Sequence, residues 1–236
     1  MNRIKDRLKK LIEPLAASLF PLEWKRYNEL RFWKNYLKTR GRFSNTHYVY
    51  FYTTHFGLET SDYCGKVILD IGCGPMGSLE WASMAARRIG LGPLAGEYLK
   101  LGAAQHQMEY MKAPSENIPL GTGECQVVLA FNSLDHVDDI FTTIMEIKRI
   151  TQPGGIFLLL VEVNHPPTSC EPINLSPKFL LEAFQPEFAC ETIRLYQPVF
   201  PDRIYESIKA DMQLPHPQDS AEHGYLSARF RRLAAQ

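Results

Sequence analysis

At 236 residues, with 45% hydrophobic and 22% charged side chains, the chain has the composition of an ordinary soluble protein, long enough for one well-buried domain and an appended segment. A formal net charge of +0 gives no long-range attraction for nucleic acid, and no run approaches the roughly 20 apolar residues that a membrane-spanning helix needs. Five cysteines (Cys64, Cys73, Cys125, Cys170 and Cys190), odd in number and without a CxxC pair, point to reduced thiols and a cytoplasmic protein, and away from a zinc site.

In chain order, MNRIKDRLKKLIEPLAASLF places Ile4, Leu8, Leu11, Ile12, Leu15 and Leu19 at helical spacing, while Glu13-Pro14 breaks the apolar centre that a signal peptide would have. This predicts an amphipathic helix packed on the domain. Its basic face (Lys5, Arg7, Lys9 and Lys10) also suits weak peripheral contact between residues 1–20 and an anionic membrane surface. Residues 1–62 as a whole predict a helical, aromatic-rich N-terminal cap, and 63–236 an α/β domain. Within the cap, THYVYFYTTHFG sets Tyr48, Tyr50, Phe51, Tyr52 and Phe56 between His47 and His55. It reads first as the core of the cap and second as an aromatic lid that would exclude water from a cationic ligand.

From Lys66 the pattern becomes strand, glycine turn, helix. KVILDI is a short, β-branched apolar run closed by glycine, as a buried parallel strand should be. GSLEWASMAARRI predicts a helix, with Arg87-Arg88 at its C-terminal dipole end. CQVVLAF is the next strand. DDIFTTIMEIKRI predicts a helix with acids first, Ile140, Ile144, Ile147 and Ile150 on one face, Lys148-Arg149 last and Pro-Gly-Gly as the stop. GIFLLLVEV is a buried strand, SPKFLLEAF a short helix with Pro177 in its first turn, and CETIRLYQ and SARFRRL late strands, antiparallel in one reading. Strands alternating with helices make a parallel sheet covered on both faces. Ligands bind such sheets at the carboxyl ends of the strands, here just after Ile71, Phe131 and Val163.

DIGCGPMG puts Gly72, Gly74 and Gly77 directly after a strand, where side-chain-free positions let a ligand approach the backbone. Two cofactor classes use such a turn: nicotinamide dinucleotides through their pyrophosphate, and S-adenosylmethionine through its methionine and ribose. For the first class, YESIK (Tyr205, Lys209) offers the YxxxK pair of short-chain reductases. The TGxxxGxG spacing of that family is absent, and the pair reads as a solvated helix face.

VILDIGCGPMGSLEWA, SENIPL, VVLAFNSLDHVDDIF and EIKRITQPGGIFLLL together resemble, in order and spacing, the class I S-adenosylmethionine-dependent methyltransferases over residues 66–165. PLAGEYLKLG is similar to a DPLAxxY segment of a bacterial subgroup, and NHPPTSCEP to that subgroup's loop after the fifth strand. The resemblance implies a Rossmann-like, mostly parallel seven-stranded sheet with helices on both faces, and S-adenosyl-L-methionine as cofactor. It implies that Asp70, Gly72, Cys73 and Gly74 surround the methionine and ribose, and that the residue at position 92 binds the ribose. Glu116, with its neighbour Asn117, would meet the adenine edge, and Asn132 and Ser133 the sulfonium.

The chain departs from that pattern at Gly92, where an acid is expected 22 residues after Asp70, and at Gln126 and Pro114. A carboxylate bonded to a hydroxyl contributes roughly 1.5–3 kcal/mol, so its loss weakens binding about ten- to a hundredfold. Glu97 is a candidate replacement, against its reading as an exposed helix residue.

For the acceptor, Asp135 and His136 follow one predicted strand while Glu162 and His165 follow another, and Asn164 and Glu171 are unranked candidates for polar contact with a hydroxyl-rich acceptor. A histidine there has a pKa suited to accepting a proton at neutral pH. Glu162, His165 and Asp135 also carry metal-ligating atoms, but their spacing is not diagnostic and no metal is assigned from it. The sequence therefore predicts methyl transfer to a small molecule, through an oxygen of a sugar, cell-envelope or natural-product precursor. The alternatives are a degenerate binding or regulatory protein on the same fold and, behind it, an NAD(P)-dependent reductase.

Overall fold

The runs VILDI, CQVVLAF and GIFLLLVEV are apolar at nearly every position, so as strands they need cover on both faces. In the computed structural model, which describes residues 19–168, 171–201 and 203–234, they form the middle of a seven-stranded sheet. Its strands are β1 (Val67–Ile71), β2 (Arg87–Leu91), β3 (Glu109–Met111), β4 (Cys125–Phe131), β5 (Thr151–Val163), β6 (Phe188–Tyr196) and β7 (Gly224–Arg232). The order is β3-β2-β1-β4-β5-β7-β6. Strands β1 to β5 pair in parallel, and β7 runs antiparallel to both β5 and β6. The helices are α1 (Pro21–Arg40), α2 (Tyr48–Tyr52), α3 (Ala95–Lys100), α4 (Ile140–Ile150), α5 (Pro177–Phe184) and α6 (Ile204–Lys209). The basic segment containing Lys5, Arg7, Lys9 and Lys10 lies outside the described residues, as does Cys170. Among the described residues no helix is long and apolar enough to cross a membrane.

Strand alternation divides the core in two. Leu69, Ile71, Val128, Ala130, Phe157 and Leu159 point to one face, where Ile140, Ile144 and Ile147 of α4 and Leu180 and Phe184 of α5 cover them. Helix α4 forms as its sequence predicts: Asp139 caps it, accepting from the backbone N–H groups of Phe141 and Thr142, and its isoleucine stripe is buried. Ile68, Val127, Leu129, Ile156, Leu158 and Leu160 point to the other face. That face is covered by Tyr48, Phe51, Tyr52, Phe56 and Tyr63, joined by Ile204 and Ile208 of α6. The aromatic run is thus core and roofs the sheet.

Its position explains one departure from the expected elements. Gly77–Ile89 does not form a helix: it crosses in successive turns to Ala86 and then becomes β2, so Arg87 and Arg88 are strand residues. The face that a helix would need is taken by the aromatic roof, against which Leu79 and Ala82 are buried and Trp81 sits edge-on to Tyr63 at 5.0 Å. Side chains claim carbonyls that a helix would use. Asn45 Nδ2 donates to Gly77 O at 3.3 Å, and Arg88 to Glu80 O at 3.0 Å. Arg87 instead bridges neighbouring segments through Glu109 and Glu124.

The solvated face expected for YESIK is also corrected. Tyr205 packs at 4.6 Å from the Phe51 ring and 5.9 Å from Tyr48, while exposed Lys209 lies over Tyr50 and Phe51. An aromatic ring near the roof gains more by burial than by hydration, so Tyr205 belongs to the core.

Candidate functional site

Strands β1, β2 and β4 end at nearly one level, because Ile71 pairs with both Leu91 and Ala130, while β5 runs on past Leu160, the partner of Phe131, to Val163. The residues that follow open on a cavity of about 430 Å³ at the carboxyl edge of the sheet. Gly72, Gly74, Gly92, Glu116, Asn132, Ser133 and His136 line it, so this edge gathers most of the residues expected from the sequence.

The glycine turn is shaped by contact. Gly72 has φ +75°, and a Cβ there would lie 2.3 Å from Ser133 Cβ, so only glycine fits. Ser133 Oγ donates to Ile71 O at 2.8 Å and locks the ends of β1 and β4 together. Asp70 does not reach the cavity wall. It is buried beneath the turn, and its Oδ2 accepts from Tyr52 Oη at 2.9 Å and from Ser78 Oγ. Burial raises its pKa to about 7, against the lowering effect of those two bonds. Asp70 therefore positions the turn. The Cys73 side chain is also buried; it packs on Gly90, where a Cβ would lie 2.6 Å from its sulfur.

Gly92 opens directly on the cavity: a Cβ there would have nothing within 4 Å. Glu97 does not turn back to it, because it pairs with Lys100 at 2.8 Å. The carboxylate on this wall is Glu29, from α1, whose Oε1 accepts from the hydroxyl of buried Tyr98. Lys25, Arg26, Asn28, Phe32 and Trp33 of α1 also border the cavity, and Trp33 lies 2.9 Å from where a Gly74 Cβ would be. Sequence reasoning missed this helical wall entirely. The i, i+3/i+4 recurrence of Lys25, Glu29, Phe32 and Trp33 marks one helix face but does not say which strand edge the face meets.

Glu116 is committed elsewhere: its Oε1 accepts from the backbone N–H groups of Asp138 and Asp139, at 2.8 and 2.9 Å, tying the loop before α4. Asn117 is exposed and outside the wall, so of the expected adenine-edge pair only Glu116 reaches the cavity. Asn132 adopts φ +53°, a left-handed conformation that asparagine tolerates, at the tip of β4. Gln126, the second departure, accepts from Val67 N–H at 2.8 Å at the opposite end of β1 and β4.

The far end of the cavity carries His136, Glu162, Glu171, Ile204 and Tyr225. Behind it Asp135 is fully buried, and burial raises its pKa. Asp135 Oδ1 lies 3.9 Å from His136 Nε2 and its Oδ2 3.9 Å from His165 Nε2; His136 Nε2 lies 3.7 Å from Glu171 Oε1. His165 is buried behind the wall, with Nδ1 3.0 Å from Pro166 O. Asp135, His136 and His165 are therefore brought together, and Glu171 joins them, while Glu162 lines the cavity paired with His223. The aromatic residues 48, 50, 51, 52 and 56 border the roof and not the cavity. The arrangement offers a side-chain-free cradle at one end and a proton-accepting cluster at the other.

Residues 69–159 match a family model described as a methyltransferase domain. An uncharacterised methyltransferase of Mycobacterium sp. (strain JLS) is 31% identical over 96 residues, 40% of this chain and 38% of that protein, so the match spans well under half of its relative. An S-adenosylmethionine-dependent methyltransferase from Mesorhizobium loti has the same fold, with a TM-score of 0.55 at 17% identity over 72% of this chain and 92% of that one. Geranyl diphosphate C-methyltransferase from Streptomyces coelicolor A3(2), solved with Mg2+, geranyl diphosphate and S-adenosyl-L-homocysteine, gives 0.52 at 18% over 74% and 77%.

Proposed function

We propose that the protein transfers a methyl group from S-adenosyl-L-methionine to an oxygen of a small-molecule acceptor, a reading supported by the match of residues 69–159 to a methyltransferase domain. The observation that carries this reading is one cavity joining the Gly72–Gly74 backbone and the open space at Gly92 to the imidazole and carboxylates at its far end. The cradle fits the donor: glycine backbone for its amino-acid portion, and the Glu29 carboxylate for ribose hydroxyls where Gly92 offers none. Bound there, S-adenosylmethionine supplies an electrophilic methyl group that in-line displacement moves to the acceptor.

The chain's own part is orientation and proton removal. Asp70, Tyr52 and Ser78 hold the turn, and Ser133 and Asn132 fix the edge where donor and acceptor meet. His136 and Glu171, at the wall, face the acceptor's hydroxyl, with Asp135 and His165 behind them, and the acceptor's proton leaves through this cluster. An acceptor of sugar, cell-envelope or natural-product type agrees with a cavity of about 430 Å³ lined by both apolar and polar groups. Titration calorimetry with S-adenosylmethionine and S-adenosylhomocysteine, with NADH and NADPH as controls, tests the reading. Micromolar binding of the sulfur nucleotides alone supports it. Absence of heat from a folded sample moves the assignment to a degenerate binding protein, and binding of NADH or NADPH alone to a reductase.

A further inference from the structure

The cluster at the far end of the cavity holds more acceptors than its surroundings satisfy. Among the described residues neither oxygen of Asp135 has a hydrogen-bond partner, nor does Nε2 of His136 or of His165. Leaving one such group unpaired costs about 1–3 kcal/mol, and more when it is charged, so four orphans around one point call for a missing partner. The identity of that partner follows from the proton inventory. Pro166 O can only accept, so the 3.0 Å contact places the His165 proton on Nδ1 and turns the Nε2 lone pair toward Asp135 Oδ2. Two acceptors facing each other at 3.9 Å need something positive or hydrogen-donating between them. The same holds on the other oxygen, where Asp135 Oδ1, His136 Nε2 and Glu171 Oε1 converge within 4.8 Å of one another.

From this we propose a divalent transition-metal site formed by Asp135, His136 and Glu171, beside His165. Three features favour a cation over a bridging water. The ligand set is two carboxylates and an imidazole, the mixture that Mn2+, Fe2+ and Zn2+ accept, whereas Mg2+ and Ca2+ prefer oxygen alone. Bonds of about 2.1 Å put tetrahedral ligand atoms roughly 3.4 Å apart, so the two His136 separations of 3.9 and 3.7 Å close by a few tenths of an ångström, and the third, within 4.8 Å, by at most about 1.4 Å. A buried, unpaired carboxylate is also what a metal compensates best. His136 and Glu171 line the cavity, so an ion held by them would face the acceptor, and its open positions would select acceptors that chelate through adjacent oxygens. That last consequence rests on the methyl-transfer reading; the ion site itself does not.

The test is equilibrium dialysis of the chelator-stripped full chain, without nucleotide, against MnCl2, with MgCl2 for comparison, read by elemental analysis. Mn2+ is the probe because exposed Cys64 and Cys190 attract Zn2+ independently of this cluster. The expected result is one Mn2+ per chain, bound more tightly than Mg2+, and weakened roughly tenfold or more by Asp135→Asn and by Glu171→Gln. Glu171 is on a partly exposed loop, so its variant decides the matter if Asp135→Asn fails to fold. Absence of Mn2+ binding, or unchanged affinity in folded Glu171→Gln, overturns the proposal. Because no donor is present, failure here is separate from failure of S-adenosylmethionine to bind.

Discussion

Glu29→Gln is the substitution on which the donor assignment turns. The side chain keeps its size but loses the charge that stands on the cavity wall beside Gly92, and Tyr98 can still donate to the amide oxygen. One bond from a hydroxyl to a carboxylate contributes about 1.5–3 kcal/mol, so binding of S-adenosylhomocysteine should weaken about ten- to a hundredfold. The fold should be almost unaffected, because α1 has no buried residue. Titration calorimetry gives the dissociation constants, and a second substitution makes the inference specific. Gly92→Asp has open space for its side chain and no left-handed backbone to strain, so it should tighten binding. If both carboxylates serve the same hydroxyls, the gain should be larger in the Glu29→Gln background than in the wild type. An unchanged dissociation constant for Glu29→Gln refutes the role given to Glu29. Equal gains from Gly92→Asp in both backgrounds would place the two groups on different parts of the donor.

Tyr98→Phe should weaken the same binding by about 1 kcal/mol, roughly fivefold, since it frees Glu29 without removing it; no change in calorimetry would mean that Glu29 needs no anchor. Gly72→Ala should destabilise the fold by at least about 1–3 kcal/mol, from its φ of +75° and the 2.3 Å approach to Ser133 Cβ, and an unaltered urea midpoint would contradict that turn. Burial raises the Asp70 carboxyl from 3.8 to about 7, so between those values the folded state holds a proton that the unfolded state has lost. That group alone makes stability fall as pH rises, and Asp70→Asn should remove the fall. His55, bonded to Ser227 at 2.7 Å, has the opposite sign. Burial lowers it from 6.5 to about 4, so its contribution is lost as pH falls through that window, and His55→Gln should abolish the loss. Because the two slopes oppose, urea titrations across this range are informative as differences from wild type, and a slope unchanged in either variant counts against its assignment.

Where apolar runs decided the structure, the sequence was readable. VILDI, CQVVLAF and GIFLLLVEV could be nothing but central strands, and the isoleucine stripe of DDIFTTIMEIKRI found its face of the sheet. GSLEWASMAARRI misled because its helix-forming composition is a local preference, and burial of Leu79 and Ala82 under the aromatic roof outweighs it. The site divides in the same way. The glycine turn, Asn132, Ser133 and the Asp135-His136 pair follow directly from strand ends and were legible. Glu29 was not, since its place on the cavity wall depends on how α1 lies across the edge, fixed by a contact with Tyr98 spanning 69 residues that no periodicity encodes. Glu171 was legible only as a polar contact for the acceptor: it comes from the loop after β5, and only the fold brings it to His136.

The helix that completes the cavity has no fully buried residue of its own. Leu30 and Trp33 pack against Leu94, Tyr98 and Ala103, and the Glu29–Tyr98 bond and the Lys25–Asp138 ion pair add polar ties. A ligand that touches α1 therefore draws on the same free energy that keeps α1 docked. Occupancy should slow amide exchange along Pro21–Arg40 more than in β4 or β5, and release of spent nucleotide should keep pace with the undocking of this one helix.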